Sequence, residues 1–410
     1  MRHRGTNFKL EITSKNIFDA LCSYIWTRYI IVLFVIIVLN RVIGHEVTNV
    51  LIIVVPSLLV IGAIPYMLKK LKMRDILAYL GFAAVYILSM MFSEYRVSEY
   101  LSENLFDILI RFAPLYFLGI CIRDEETVKK MHTVSIVSIF INVLFIIVAS
   151  PFLNEETDQM SFSYYILPHI CLALFYAAKD KKMIDVAAAF AGFICIIVFG
   201  TRGPLLALAL IFLFYFLFYK KYKHRIVGRI LALVIIVGFY FLALWFLFFY
   251  GASLSKLVLR TNIINNLSIE GFFFDNGRFD IAESVWKRLV MDPFAIRGLA
   301  ADRVLTNSYG EVFHYSHNLF LELLYSFGAI GGGLAIFNCV FVYIRGIVKC
   351  GNRAVKGVIL TLLASTGFFK LMISSSFLLE PSFFLLIGIC VGSVRIAKKE
   401  TDDETRLLHI

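Results

Sequence analysis

The chain has 410 residues, of which 60% are hydrophobic and 17% charged, with a formal net charge of +11. A soluble domain cannot hide that much apolar surface, so the composition excludes an ordinary globular enzyme and indicates a polytopic membrane protein. The positive charge is what Lys- and Arg-rich cytoplasmic loops produce, and no nucleic-acid partner is expected.

Apolar runs of roughly 17 to 25 residues recur along the chain, each long enough to cross about 30 Å of hydrocarbon as a helix. They are continuous rather than alternating, which favours helices over a barrel. Twelve spans are predicted, at 25–42, 47–68, 76–92, 105–122, 131–151, 162–178, 184–200, 203–219, 229–250, 318–344, 354–372 and 376–396. The opening MRHRGTNFKLEITSK is basic and polar for too long to be a signal peptide, so the first run is read as a retained helix. The seven cysteines lie in or beside apolar runs and show neither a disulfide framework nor metal-ligand spacing.

The loops alternate in charge. One side carries Lys69, Lys70, Lys72 and Arg74, then Arg123, Lys129 and Lys130, then Lys179, Lys181 and Lys182. It continues with Lys220, Lys221, Lys223 and Arg225, and with Arg345, Lys349, Arg353 and Lys356. The other side includes the acidic stretches 93–104 and 154–160. By the positive-inside rule both termini are cytoplasmic, and the one long loop, 251–317, is external. The expected fold is therefore an all-α polytopic membrane protein with about 12 transmembrane helices and one long external loop forming a partly helical cap. Its parts are 1–250 (helices one to nine), 251–317 (the extracytoplasmic loop) and 318–410 (helices ten to twelve and a cytoplasmic tail). Within the loop, Ile281, Val285, Arg288 and Leu289 recur at helical spacing, predicting a short amphipathic helix over 278–290 that Pro293 ends.

Several familiar chemistries are missing. The sequence has no GxxxxGK[ST] loop, no GxSxG elbow and no HExxH pair, so neither ATP hydrolysis nor a metalloprotease site is indicated. No metal and no cofactor are expected, and Glu156 with Asp158 reads as solvated surface. A reaction without these devices needs a substrate that is already activated.

The arginines suggest what that substrate is. The loop holds Arg260, Arg278, Arg288, Arg297 and Arg303, and Arg202 lies in the tight connection GTRGP between spans seven and eight. A guanidinium is a planar, permanently charged fork that matches phosphate oxygens, so converging arginines suit a pyrophosphate headgroup. The alternative is that they pair with the loop's acids, Asp275, Asp280, Glu283 and Asp292. His314 and His317 end the loop, and an imidazole can accept a proton from an attacking hydroxyl near pH 7. Asn318 follows His317, and Glu322 enters the apolar run, where an ionisable group is functional or paired. Gly331, Gly332 and Gly333 would let a neighbouring helix approach closely. Among other intramembrane polar residues, Asp107 and Arg111 are expected to neutralise one another, Lys370 to snorkel, and His169 to form an interhelical hydrogen bond.

FGTRGPLLALAL, GRFDIAESVWKRLVMDPFAIRG and HNLFLELLYSFGAIGG occur in that order around the long loop. Together they resemble the O-antigen polymerase/ligase superfamily, the Wzy-type polymerases and their lipid A–core ligase relatives, over roughly 198–345 in motif terms. The chain departs from the family at Ala295-Ile296-Arg297-Gly298, where relatives often carry a Gly-Ile-Gly-like turn.

The resemblance implies a metal-independent glycosyltransferase acting on undecaprenyl-pyrophosphate-linked oligosaccharide as donor and acceptor, in the bacterial cytoplasmic membrane. By position it implies functional roles for Arg202, Arg278 and the motif His317, Asn318, Leu321 and Glu322, with Arg202, Arg278 and His317 catalytic and Asn318 and Glu322 contacting substrate; the loop's own chemistry adds Arg260, Arg288, Arg297 and His314 as expected substrate contacts. A flippase and a chain-length regulator are implied partners, alongside membrane lipids. A polymerase is favoured over a ligase because the loop carries no added soluble domain. A sugar-lipid flippase or transporter, or a scaffold that binds anionic lipid, are the alternatives of other classes.

Overall fold

The computed structural model describes residues 13–27, 45–106, 108–109, 112–149, 159–198, 203–208, 210–211, 278–306 and 315–407. Among these residues the regular structure is helical and no strand occurs. The first helices are α1 (Ser14–Thr27), α2 (His45–Lys70), α3 (Met73–Phe92), α4 (Tyr95–Glu103), α5 (Phe112–Cys121), α6 (Glu125–Ala149), α7 (Gln159–Asp180) and α8 (Met183–Val198). After them come α9 (Arg278–Met291), α10 (Asp302–Thr306), α11 (Leu319–Lys349), α12 (Arg353–Ala364), α13 (Phe369–Ile373) and α14 (Pro381–Leu407). Among the described residues, three stretches are long and apolar enough to cross a membrane: α3, α11 and the α12–α13 stretch Arg353–Ile373.

The predicted spans at 229–250, most of 203–219 and most of 25–42 lie outside the described residues, and so does the pair Asp107 and Arg111. The count of twelve is therefore not reached among the described residues. Elsewhere the boundaries move for physical reasons. The first helix begins at Ser14 because Phe18, Leu21, Cys22 and Trp26 form one buried stripe against α2 and α6. The acidic stretch 93–104, expected as a loop, contains α4, whose Val97 and Leu101 are buried. The span expected at 354–372 is broken at Ser365, where the Gly367 amide turns back to the Leu362 carbonyl. The last helix starts only at Pro381, a residue suited to the first helical position because it has no amide hydrogen to leave unpaired.

Without water between helices, association depends on close packing rather than on hydrophobic burial. α5 and α14 meet at glycines: a Cβ on Gly388 would collide with the Tyr116 carbonyl, and one on Gly119 with the Leu385 carbonyl. The close approach expected of Gly331–Gly333 is found there instead. Gly333 has nothing within 4 Å, and Gly332 packs on Leu323 and Leu324 of its own helix across a kink. His169 is buried and pairs with Ser135 at 3.1 Å, the interhelical bond expected of it.

Among the described residues, the basic loops predicted to share a side lie at one end of the bundle. There Lys70 pairs with Asp124, Lys179 with Glu125 and Arg395 with Asp75, while Asn352 donates to the Arg123 carbonyl. The opposite end gathers Ser93, Tyr164, Gly203, α9, α10, the start of α11 and the turn after α13.

Candidate functional site

The turn after α13, residues 374–380, carries the run Ser374-Ser375-Ser376 inside an otherwise apolar stretch. Its backbone is not helical, so its carbonyls and hydroxyls need partners. The polar residues of the loop supply them. Asn318 Nδ2 reaches the Met372 carbonyl at 3.5 Å, Arg278 donates to the Ile373 carbonyl at 3.1 Å, and Tyr315 donates to the Ser374 carbonyl at 3.2 Å. Arg303 donates to Ser376 Oγ at 2.7 Å. Four side chains from distant parts of the sequence thus converge on one short segment.

Each is aimed by local structure. Arg278 is the first residue of α9, whose Val285 and Leu289 pack with Ala301 and Tyr325 and fix the helix on α11. Asn318 caps α11, accepting from the Phe320 and Leu321 amides at 3.0 and 3.1 Å. His317, half-buried, sits just before the cap at φ 53°, a left-handed conformation that costs an L-residue about 1–2 kcal/mol. That bend sets its ring against Tyr315, with centroids 4.3 Å apart. Through Tyr315, the imidazole belongs to the same cluster as Arg278.

Tyr315 is ringed by cations. Burial pushes its phenol up, and Lys370, Arg278 and Arg303 pull against that without cancelling it. The phenol therefore stays protonated and donating at neutral pH. Lys370 does not snorkel as expected. It is buried and pairs with Glu380 at 2.7 Å, between the rings of Tyr164 and Tyr165. An ammonium this far from water needs a carboxylate nearby, and Glu380 supplies it from the next turn.

Glu322 and Arg303 form the buried floor of the site. Arg303 bonds Glu322 and Asp302, each at 3.1 Å, and Glu322 also accepts from Ser376 at 2.6 Å. Asp302 in turn accepts from the Ser316 amide at 2.8 Å, one residue before His317. Burial works against the Arg303 charge, but the Asp302 and Glu322 carboxylates outweigh it, so the guanidinium is held charged more firmly than in water. All three charged groups are at most 1% exposed. Glu322 is thus engaged by Arg303 and Ser376.

The remaining loop arginines separate. Arg297 donates to the carbonyls of Asp292, Ala295 and Tyr325 and lies over the Tyr325 ring. It braces the Ala295–Gly298 turn, whose Arg297 and Gly298 amides both reach the Ser326 carbonyl at 2.9 Å. Arg288 is exposed on α9, away from the polar turn's hydrogen bonds. Arg202, Arg260 and His314 lie outside the described residues. Gly203 does not: a Cβ there would strike Tyr164 and Ile373. The residue after Arg202 therefore touches the residue whose carbonyl receives Arg278.

Sequence reasoning passed over Asp302, Tyr315, Ser374 and Ser376 as site members, and it grouped Arg303 with the phosphate-facing loop arginines rather than in a buried ion pair. Two signals pointed to them: a glutamate in an apolar run requires a cation, and a serine run in a span marks backbone that has left the helix. Among the described residues no group of three or more His, Cys, Asp or Glu is placed to hold a metal ion.

Residues 187–336 match a family model described as O-antigen ligase. The domain is that of the O-antigen polymerase/ligase superfamily. Its members are enzymes acting on glycans, and the apolar helices together with this domain mark the chain as a membrane protein. The superfamily domain runs from α8 into α11 and includes Arg278, Arg303, His317 and Glu322, whereas Lys370 and the serine turn lie beyond it. Comparison with curated proteins and with solved structures returns no match.

Proposed function

We propose that the chain is a glycosyltransferase that polymerises undecaprenyl-pyrophosphate-linked oligosaccharide into O-antigen or capsular polysaccharide. It works at the external face of the bacterial cytoplasmic membrane, with loop 251–317 outside and both termini cytoplasmic. The observation that carries this reading is the meeting of Arg278 and the His317–Tyr315 pair on the adjacent carbonyls of Ile373 and Ser374, inside a domain of a glycan-acting family.

The chemistry follows from those groups. The acceptor hydroxyl oxygen attacks the anomeric carbon of the donor sugar, and the bond from that carbon to the pyrophosphate oxygen breaks. His317 takes the hydroxyl proton, and undecaprenyl pyrophosphate leaves with the bonding electrons. Arg278 and Arg202 neutralise the charge that grows on the leaving pyrophosphate, where fixed cations act most strongly. Tyr315 orients the imidazole, and the Arg303–Glu322–Asp302 floor holds the segment from Ser316 to Asn318 in place. No metal is needed, because the pyrophosphate is already a good leaving group.

A ligase that passes finished glycan to lipid A–core or another acceptor is the second reading, favoured by the description of the matching family model. Purified protein incubated with synthetic lipid-pyrophosphate repeat units distinguishes the two. A ladder of lengthened lipid-linked glycans supports the polymerase. Transfer only to an added core acceptor supports the ligase. Absence of any glycosyl transfer from a folded, reconstituted protein overturns both.

A further inference from the structure

The outer flank of α9 has an unusual distribution of residues. At about 100° per residue, Ile281, Val285 and Leu289 form a buried stripe, in which Val285 and Leu289 pack with Tyr325 of α11, and Trp286 and Val290 lie on the flank that continues from it. Asp280, Glu283, Lys287 and Arg288 take most of the remaining arc. The apolar arc is thus about twice as wide as the protein surface that covers it. The turn after the helix extends the uncovered part: Trp286, Val290, Met291, Phe294 and Ile296 are between 55% and 78% exposed. Five large apolar side chains concentrated in eleven residues form a patch that water does not favour.

What adjoins this patch identifies its partner. The Pro293 carbonyl accepts from the Ala329 amide at 2.6 Å, and Gly328 packs against the Phe294 backbone. The turn therefore meets α11 where that helix begins its exposed stripe of Ile330, Leu334, Phe337 and Phe341. α11 is long and apolar enough to span a membrane, and such a stripe is stable only against lipid. The loop patch adjoins the head of that stripe through the Pro293–Ala329 and Phe294–Gly328 contacts.

We propose that this flank of α9 and its following turn insert into the acyl-chain boundary of the phospholipid bilayer, with Lys287 and Arg288 directed to the headgroups. A helix with a wide apolar arc and cations on its polar face lies in the interface plane in this way. The arrangement fixes Arg278, at the start of α9, at headgroup height, where a lipid-borne pyrophosphate is found. The inference rests on the membrane setting and not on glycosyl transfer, so it stands or falls separately from the proposed reaction.

The test is tryptophan quenching in nanodiscs of phosphatidylcholine and phosphatidylglycerol. The Trp286 signal is the difference between the wild-type protein and Trp286→Phe, an exposed substitution. With acyl chains brominated near the headgroup, that difference emission should lose most of its intensity, and it should be blue-shifted and shielded from aqueous iodide. Emission insensitive to brominated lipid but quenched by iodide overturns the proposal. So does emission insensitive to both, which would mean that protein, such as a second copy of the chain, covers the patch. If Trp286→Phe folds poorly, Phe294→Trp compared with the wild type gives a second reporter with the same expected and overturning outcomes.

Discussion

Arg303 and Glu322 meet at 3.1 Å, nineteen positions apart in sequence and each only 1% exposed. Removing Arg303 leaves the Glu322 and Asp302 carboxylates buried without their cation, which costs about 3–5 kcal/mol, whereas removing Glu322 leaves Arg303 paired with Asp302 and costs less. Arg303→Ala should therefore lower the melting temperature in detergent sharply and Glu322→Ala by less, with activity lost through loosening of the Ser316–Asn318 segment. The triple variant Asp302→Asn/Arg303→Met/Glu322→Leu, which leaves no buried charge behind, should recover much of the stability lost in Arg303→Ala. Unchanged melting in either single variant would show that the pair does not hold the site.

His317 is expected to behave differently. Its substitution should remove chemistry without removing the fold. His317→Asn is the sharper variant, because Asn tolerates the left-handed backbone at this position and has no proton-accepting group at pH 7. Product formation should fall roughly 10²–10⁴-fold, the usual range for a lost general base. The melting temperature should stay at the wild-type value. Wild-type turnover in that variant would remove His317 from the proton transfer.

For Arg278, shape should matter as well as charge. Arg278→Lys keeps the cation but loses the planar fork that bonds the Ile373 carbonyl and that, in the proposed reaction, would also meet a phosphate. Arg278→Ala should cut turnover by roughly 10²–10³-fold, and Lys should restore only part of it. Steady-state assays on a lipid-pyrophosphate oligosaccharide would measure this. Full rescue by Lys would mean that a point charge is sufficient.

Gly328 tests the junction between loop and bundle. It holds φ 69° inside α11, and a Cβ would stand 2.9 Å from the Phe294 carbonyl carbon and oxygen. Gly328→Ala should cost about 1–3 kcal/mol in backbone strain, before any cost of the contact. It should loosen the turn carrying Arg297 and Gly298, whose amides bond the Ser326 carbonyl. Faster limited proteolysis between Met291 and Gly298 is the expected readout. An unchanged cleavage rate would show that the loop is held elsewhere.

Parts of the site were legible because the residue types are costly where they occur. Arg278, His317 and Asn318 stand at the predicted ends of a loop helix and a span; the structure brings Arg278 and Asn318 to the neighbouring Ile373 and Met372 carbonyls and sets His317 against Tyr315. Glu322 was expected to be functional or paired, and it is paired. Lys370 was misread, because snorkelling and ion pairing begin from the same position near a helix end and only the location of Glu380 separates them. Arg297 resembled the other loop arginines in sequence, yet its guanidinium closes a turn on three carbonyls.

Local chemistry alone determined that the chain is helical and membrane-embedded, where its charges divide between two ends, and that 278–290 is an amphipathic helix with a proline stop. Those properties depend on residues close in sequence and on the cost of moving them between water and lipid. Which arginine faces a carboxylate, which braces a turn and which meets the Ile373 carbonyl was decided only by tertiary structure. The partners lie tens of residues away, and a guanidinium carries the same charge wherever its partner comes from.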